Sequence, residues 1–190
     1  MKMIAMVQNE NSTSSMERAF ASLTREDLER ELRTVKQELN SAYVCAKTDA
    51  YIRQYYEAKF AGYDAEYIKL FIDANGLKKI NDTKGHEEGD LYLKNISAVA
   101  KQHTREEDLL IRWGGDEFIL FVKTTDITVV QSIKERIDKA LTENRLSAAI
   151  GIGNTVKEAD KNMYEDKRRK KSPITKLKAN FIKLVQAYAK

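Results

Sequence analysis

The residues best placed to do chemistry cluster around Gly114-Gly115-Asp116-Glu117, which stands between two apolar runs within Leu109–Val122. Each run is about a strand long, and paired glycines between such runs read as a hairpin turn, because glycine enters positive φ without steric cost. The turn then holds two adjacent carboxylates at the tip of a stiff ribbon. A divalent metal or a phosphate-bearing ligand would use that geometry. A solvated turn carrying two surface acids is the plain alternative. A third acid, Asp73, closes an apolar strand candidate at Tyr67–Ile72. An acid in that place is either exposed at the sheet edge or put to use.

Composition narrows the classes. The chain has 190 residues, 42% apolar and 33% charged, enough for one domain plus an appendage with a real core. Cys45 is the only cysteine, which excludes an intrachain disulfide and fits a reducing compartment. One cysteine and two histidines, His86 and His103, cannot build the usual structural zinc site. No run reaches membrane-spanning length and no signal peptide is evident, so a cytoplasmic location is expected. The net charge of +4 is uneven: Lys161–Lys190 holds ten basic and two acidic residues, leaving −4 on the first 160. A basic tail without interleaved aromatics or a reading module does not make a nucleic-acid binder.

The elements that must position the acids follow from periodicity. Residues 1–14 are polar and aperiodic, a disordered leader. Residues 15–46 form a helical segment in which Thr24 and Asp27 resemble a capping pair. Leu28, Leu32, Val35, Leu39 and Ala42 make a seam of about two heptads. That helix is either a dimerising stalk or an amphipathic helix lying on its own domain. Lys47–Gly62 has no clear period; Tyr51, Tyr55, Tyr56 and Phe60 suggest an aromatic helical face, read as core in preference to a ligand stack. A loop with a helical turn follows Asp73, then a helix from Gly89 to about His103. Beyond the hairpin come a helix capped at Thr125 or Asp126, a strand at Leu146–Ile152 and a helix from Thr155 to about Lys170. Ser172-Pro173 breaks this last helix. Residues 172–190 form an amphipathic helix that docks on the body, meets a partner or lies on an anionic membrane surface. The order of elements gives an α+β layout: a mostly antiparallel sheet with helices on one face.

Three blocks in this order resemble the GGDEF family of diguanylate cyclases. They are Asp73…Lys78…Asn81-Asp82…Gly85-His86…Gly89-Asp90, then Gly114-Gly115-Asp116-Glu117-Phe118, then Ala159-Asp160…Met163-Tyr164…Lys167. The resemblance covers about Tyr67–Lys171 and implies a catalytic domain over 47–171. The fold implied is a ferredoxin-like, palm-type nucleotide cyclase core. The implied activity is the magnesium- or manganese-dependent condensation of two GTP into cyclic di-GMP across a homodimer, for second-messenger signalling.

The resemblance also implies roles. Asp73, the carbonyl of Ala74 and Asp116 would hold the metal, and magnesium's preference for one or two protein carboxylates suits such a set. Asp116 or Glu117 would help remove the proton, and Lys78 and Lys167 would hold the triphosphate as point charges. Asn81 and Asp90 would read guanine, whose N1–H and N2–H a carboxylate can accept and adenine cannot offer. Gly114, Gly115, His86 and Lys171 fall at substrate positions, although His86 reads equally as a loop-packing residue. Arg105-x-x-Asp108, with Arg136, matches the family's product-inhibition site.

The sequence departs from the family pattern in places. Asn75 stands where a second aspartate is usual, Gly76-Leu77 where an aromatic is usual, and Lys171 where an arginine is usual. The opening Asp-x-Leu-Thr motif is reduced to Asp49-Ala50-Tyr51-Ile52, and the segment Gly153–Ala159 is clipped. None of these removes an implied metal ligand or guanine reader. A catalytically weak domain that only binds cyclic di-GMP or a protein partner is the alternative function.

Overall fold

The structure, a computed structural model, describes residues 24–171 and Leu177. The leader at 1–14 and all of 172–190 except Leu177 lie outside the described residues. The first described element is helix α1 (Arg25–Ala42). Its start is the reciprocal cap that the sequence signals: Asp27 N–H donates to Thr24 Oγ1 at 3.2 Å, and Thr24 N–H donates to Asp27 Oδ2 at 3.1 Å. Leu28, Leu32 and Val35 of its seam are exposed. The helix belongs to one compact unit ending at Ala42; the unit carrying the sheet begins at Tyr43.

The second unit runs β1 (Tyr51–Ile52), α2 (Arg53–Tyr55), a π-helical turn (Tyr56–Phe60) and β2 (Tyr67–Ala74), then α3 (Leu77–Lys84) and α4 (His86–Gln102). It continues with β3 (Leu109–Arg112), β4 (Glu117–Lys123), α5 (Ile127–Glu143), β5 (Ala148–Gly153) and α6 (Val156–Lys171). The five strands lie in the order β1-β3-β4-β2-β5. All neighbours are antiparallel except β1 with β3. This is the mixed α+β architecture expected.

Strand alternation splits the apolar residues between two faces. Ile68, Leu70, Ile72 and Ala74 of β2 meet Leu93, Ile96 and Val99 of α4 and Val130, Ile133, Ile137 and Leu141 of α5. Phe71, Ile119, Phe121 and Ala149 face the other way, onto Ala159 and Met163 of α6 and onto Tyr56 and Phe60. Helices therefore cover both faces, not the single face expected. The continuous burial of β2 is the reason: a strand covered on one side only would alternate with polar residues. Of the aromatic run, Tyr51, Tyr56 and Phe60 pack half-buried against this second cluster, with Tyr56 stacked on Phe121 at 5.3 Å between ring centroids, while Tyr55 meets Tyr43 and Tyr51.

Helix α6 approaches β5 closely because β5 carries glycines where they meet. A β-carbon on Gly151 would stand 2.0 Å from the Met163 backbone nitrogen, and one on Gly153 would stand 2.4 Å from that of Ala159. The same helix caps the outer edge of β5 with side chains four residues apart. Asn162 Nδ2 donates to Ile152 O at 2.7 Å, Ile150 N–H donates to Asp166 Oδ2 at 3.0 Å, and Lys170 Nζ donates to Ala148 O at 2.8 Å.

Asp166 is buried at 4% exposure. Burial alone would push its carboxyl up, but the Ile150 N–H and the Lys170 and Arg169 cations together hold it below the ordinary aspartate value. A depressed carboxyl stabilises the fold wherever it is ionised. That contribution is complete above the unfolded-state pKa and is lost as pH falls below about 4. Asp166→Ala should cost about 3 kcal/mol at pH 7, with the deficit shrinking in urea melts at pH 3.

Candidate active site

The sheet order brings the sequence's three acids to one end of two neighbouring strands. Asp73, next to last in β2, pairs in register with Glu117, first in β4. Ala74 N–H donates to the Asp116 carbonyl at 2.9 Å, which fixes the hairpin tip against the end of β2. The hairpin closes through Trp113 N–H donating to Glu117 O at 2.8 Å. Neither hairpin glycine adopts positive φ. Gly114 is small for a different reason: a β-carbon there would sit 2.7 Å from Glu117 Oε2, while one on Gly115 would meet nothing. Arg112 braces the turn, donating from Nη2 to Gly115 O at 2.7 Å.

The charges at this end repel. Burial pushes the Glu117 carboxyl up, and the neighbouring Asp116, Asp73 and Asp160 push it further, with Lys167 pulling the other way. Lys167 Nζ bridges both oxygens of Asp73, at 2.7 and 2.8 Å. Lys167, implied by resemblance as a triphosphate ligand, is thus a counter-ion to an implied metal ligand. Among the described residues no three His, Cys, Asp or Glu side chains form a ready cage for a metal ion. The donor set still suits a hard divalent cation. It is all oxygen and over-negative, and magnesium takes only one or two protein carboxylates when phosphate supplies the rest of its shell.

Two adjoining clefts open beside these acids and share Leu77, Lys78 and Asp116. The first, of about 460 Å³, is lined by Asn81, His86, Gly89, Asp90, Arg112 and Gly115 among others. Asn81 Oδ1 is buried there without a hydrogen-bond partner. Gly89 makes its room, since a β-carbon on it would fall 1.8 Å from that oxygen. A buried acceptor left unpaired beside a cleft is a cost that a ligand donor removes. Asp90 is paired with Lys47 at 2.6 Å. His86 opens α4 and faces the cleft as an exposed side chain.

The second cleft, of about 320 Å³, carries Lys78, Lys167, Lys170 and Lys171. The open N-terminus of α3 adjoins it, entered through Gly76 at φ 81° with no side-chain cap. Tyr92 ties its walls together: its hydroxyl oxygen lies 3.0 Å from Asn75 O and 2.9 Å from Ser147 O, and accepts from Ser147 N–H at 3.0 Å. Asn75 Nδ2 donates to Ser147 Oγ at 3.1 Å, a bond that an aspartate in its place would not donate. A separate cavity of about 530 Å³ runs along β5 and holds none of the implied site residues.

The structure gathers Asp73, Ala74, Lys78, Asn81, His86, Asp90, Gly115, Asp116, Lys167 and Lys171 around these clefts. Gly114 contributes room for Glu117 instead of lining either cleft. Arg105, Asp108 and Arg136 stand apart from them. Asp108 accepts from Arg105 N–H at 2.9 Å and from Lys123 N–H at 3.0 Å, fastening the turn before β3. Arg105 is exposed and pairs with Glu107, and Arg136 is exposed on α5. Sequence reasoning missed Arg112, Lys170 and Lys47. Arg112 stood in plain view two residues before the glycines; Lys170 was hidden in a basic run and Lys47 in an unreadable segment.

The sequence model described as diguanylate cyclase, GGDEF domain, matches residues 46–173. Diguanylate cyclase A of Treponema denticola is 32% identical over 133 residues, covering 60% of this chain and 36% of that protein. The probable diguanylate cyclase DgcJ of Escherichia coli is 33% identical over 116 residues, covering 54% of this chain and 23% of that protein. This chain thus spans little more than a third of such relatives at most. The GGDEF domain of TpbB (YfiN) from Pseudomonas aeruginosa superposes with a TM-score of 0.56 at 28% identity, covering 66% of this chain and 89% of that one. The coiled coil and GGDEF domain of DgcB from Caulobacter crescentus, solved with cyclic di-GMP, gives a TM-score of 0.65 at 21% identity, covering 81% and 95%. With the family match extending over most of its length, this chain belongs to the GGDEF domain family of diguanylate cyclases.

Proposed function

We propose that this chain is a diguanylate cyclase that condenses two GTP molecules into cyclic di-GMP and two pyrophosphates. One observation carries the reading: a cleft with an orphaned amide oxygen and a carboxylate adjoins a cleft with four lysines, and both meet at Asp116. That is the layout a base-bearing triphosphate requires. Asn81 and Asp90 take the guanine edge. Lys78, Lys170, Lys171 and the α3 N-terminus take the phosphates, joined by Lys167 when it leaves Asp73. In each half-reaction a 3′-oxygen forms a bond to the other nucleotide's α-phosphorus. The bond to pyrophosphate breaks, its electron pair leaving with pyrophosphate. The hydroxyl proton passes to Asp116 or Glu117, or to water.

Asp73, the Ala74 carbonyl and Asp116 would hold magnesium or manganese, which when bound neutralises developing phosphoryl charge and acidifies the attacking hydroxyl. Because each attacking hydroxyl comes from the opposite half-site, the working unit is a homodimer. The exposed Leu28, Leu32 and Val35 seam of α1 supports a second copy as its partner. Arg105, exposed beside Glu107, is the recognition group for product inhibition, with Asp108 holding its turn and Arg136 as a second contact.

The Asp73–Lys167 pair favours a second reading, a silent domain that binds cyclic di-GMP without making it. Incubating the purified chain with GTP and magnesium separates the two. Cyclic di-GMP and pyrophosphate in a 1:2 ratio are expected. GTP binding without product would leave only the binding role.

A further inference from the structure

Guanine presents along one edge an N2 amino donor, an N1–H donor and the O6 acceptor, where adenine carries an amino donor in place of O6. A carboxylate spanning N2–H and N1–H leaves O6 beside whatever adjoins its N1-side oxygen. In this chain Asp90 has such a neighbour. Lys47 Nζ lies 2.6 Å from Asp90 Oδ2, across 43 positions of sequence.

The lysine is carried by a segment tied to the helix that carries Asp90. Thr48 is buried, and its carbonyl accepts from Ser97 Oγ of α4 at 2.7 Å. Lys101 of α4 donates to the Asp49 carbonyl. The turn itself is closed by Thr48 N–H and Asp49 N–H donating to Cys45 O at 3.1 and 2.8 Å, and by Cys45 N–H donating to Ala50 O at 2.8 Å. The ammonium therefore starts from a fixed backbone, in register with Asp90. Arg112, which also lines this cleft, donates from Nη1 to Cys45 Sγ at 3.2 Å, so the segment touches a second residue of the lining.

We propose that Lys47 is a specificity-determining residue that orients the Asp90 carboxylate and donates to guanine O6. This rests on the reading of Asn81 and Asp90 as guanine readers and adds a third point to it. An acceptor pair from Asp90 and a donor from Lys47 mirror the donor–donor–acceptor edge of guanine. The same ammonium would oppose the 6-amino group of adenine.

The test is calorimetric binding of GTP, inosine triphosphate and 6-thio-GTP to the full chain, with divalent metal chelated so that binding is read without turnover. Wild type, Lys47→Met and Lys47→Arg are compared; Lys47 is exposed, and thermal melts check that each variant is folded. Wild type should prefer GTP over 6-thio-GTP, whose sulfur is the weaker acceptor, by about tenfold. Lys47→Met should reduce that preference to within about twofold while keeping the preference for GTP over inosine triphosphate, which reports the N2 group. Lys47→Arg should restore part of it. Equal weakening of GTP and 6-thio-GTP in Lys47→Met, or no change in either, would overturn the proposal. Wild type that binds no GTP would instead overturn the guanine-reading role of Asn81 and Asp90, and the Lys47 role with it.

Discussion

Gly151→Ala should cost about 4 kcal/mol or more and lower the melting temperature by about 10 °C or more. The added methyl meets backbone, not a side chain that could swing away: Met163 N at 2.0 Å, Ala159 O at 2.2 Å and Asn162 C at 2.6 Å. Helix α6 must lift from β5 or the strand must bend, and either breaks the Asn162, Asp166 and Lys170 caps together. Because α6 also carries Lys167 and Lys171, nucleotide affinity should fall with the fold. Gly115→Ala is the matched control, since its methyl enters open space and should leave the melting temperature within about 2 °C. Comparable melting curves for Gly151→Ala and wild type would show that α6 does not sit where the structure puts it.

Asp116→Asn should reduce cyclic di-GMP formation by about a thousandfold or more while leaving GTP binding within about fivefold. The substitution keeps side-chain size and leaves the Asp116 carbonyl free to accept from Ala74 N–H, so the hairpin stays in place. What goes is one negative oxygen at the junction of the two clefts, where the proposed reaction would need charge balanced during phosphoryl transfer. Asn81, Asp90 and the lysines, which would carry ground-state affinity, are untouched. Pyrophosphate release measured beside calorimetric GTP binding separates the two effects. Turnover within tenfold of wild type would remove Asp116 from the reaction.

Much of this was legible before any coordinates. The Thr24–Asp27 cap, the Asp126 cap, which accepts from Thr128 N–H at 2.8 Å, and the inward face Val130, Ile133, Ile137 and Leu141 are local patterns, and local patterns survive folding. The clustering of Asp73, Lys78, Asn81, Asp90 and Asp116 was implied by the family resemblance that the ordered motif blocks carry. What stayed hidden was non-local. That Lys167 would turn to Asp73, 94 positions away, depends on α6 crossing the second face of the sheet. The hairpin glycines misled for a related reason. Their spacing looked like a demand for positive φ, but Gly114 is there to clear a side chain three residues on. The segment around Tyr51–Phe60 resisted reading because a two-residue strand and a π-helical turn have no sustained period.

The polar stripe that α6 lays along β5 also limits how this molecule can associate. At the opposite end of the sheet, β1 is only two residues long. Among the described residues one border is sealed and the other is truncated, so neither offers a long template on which a foreign extended peptide could zip. Copies that meet in a crowded cell are thereby steered away from fibrous growth by edge-to-edge strand pairing.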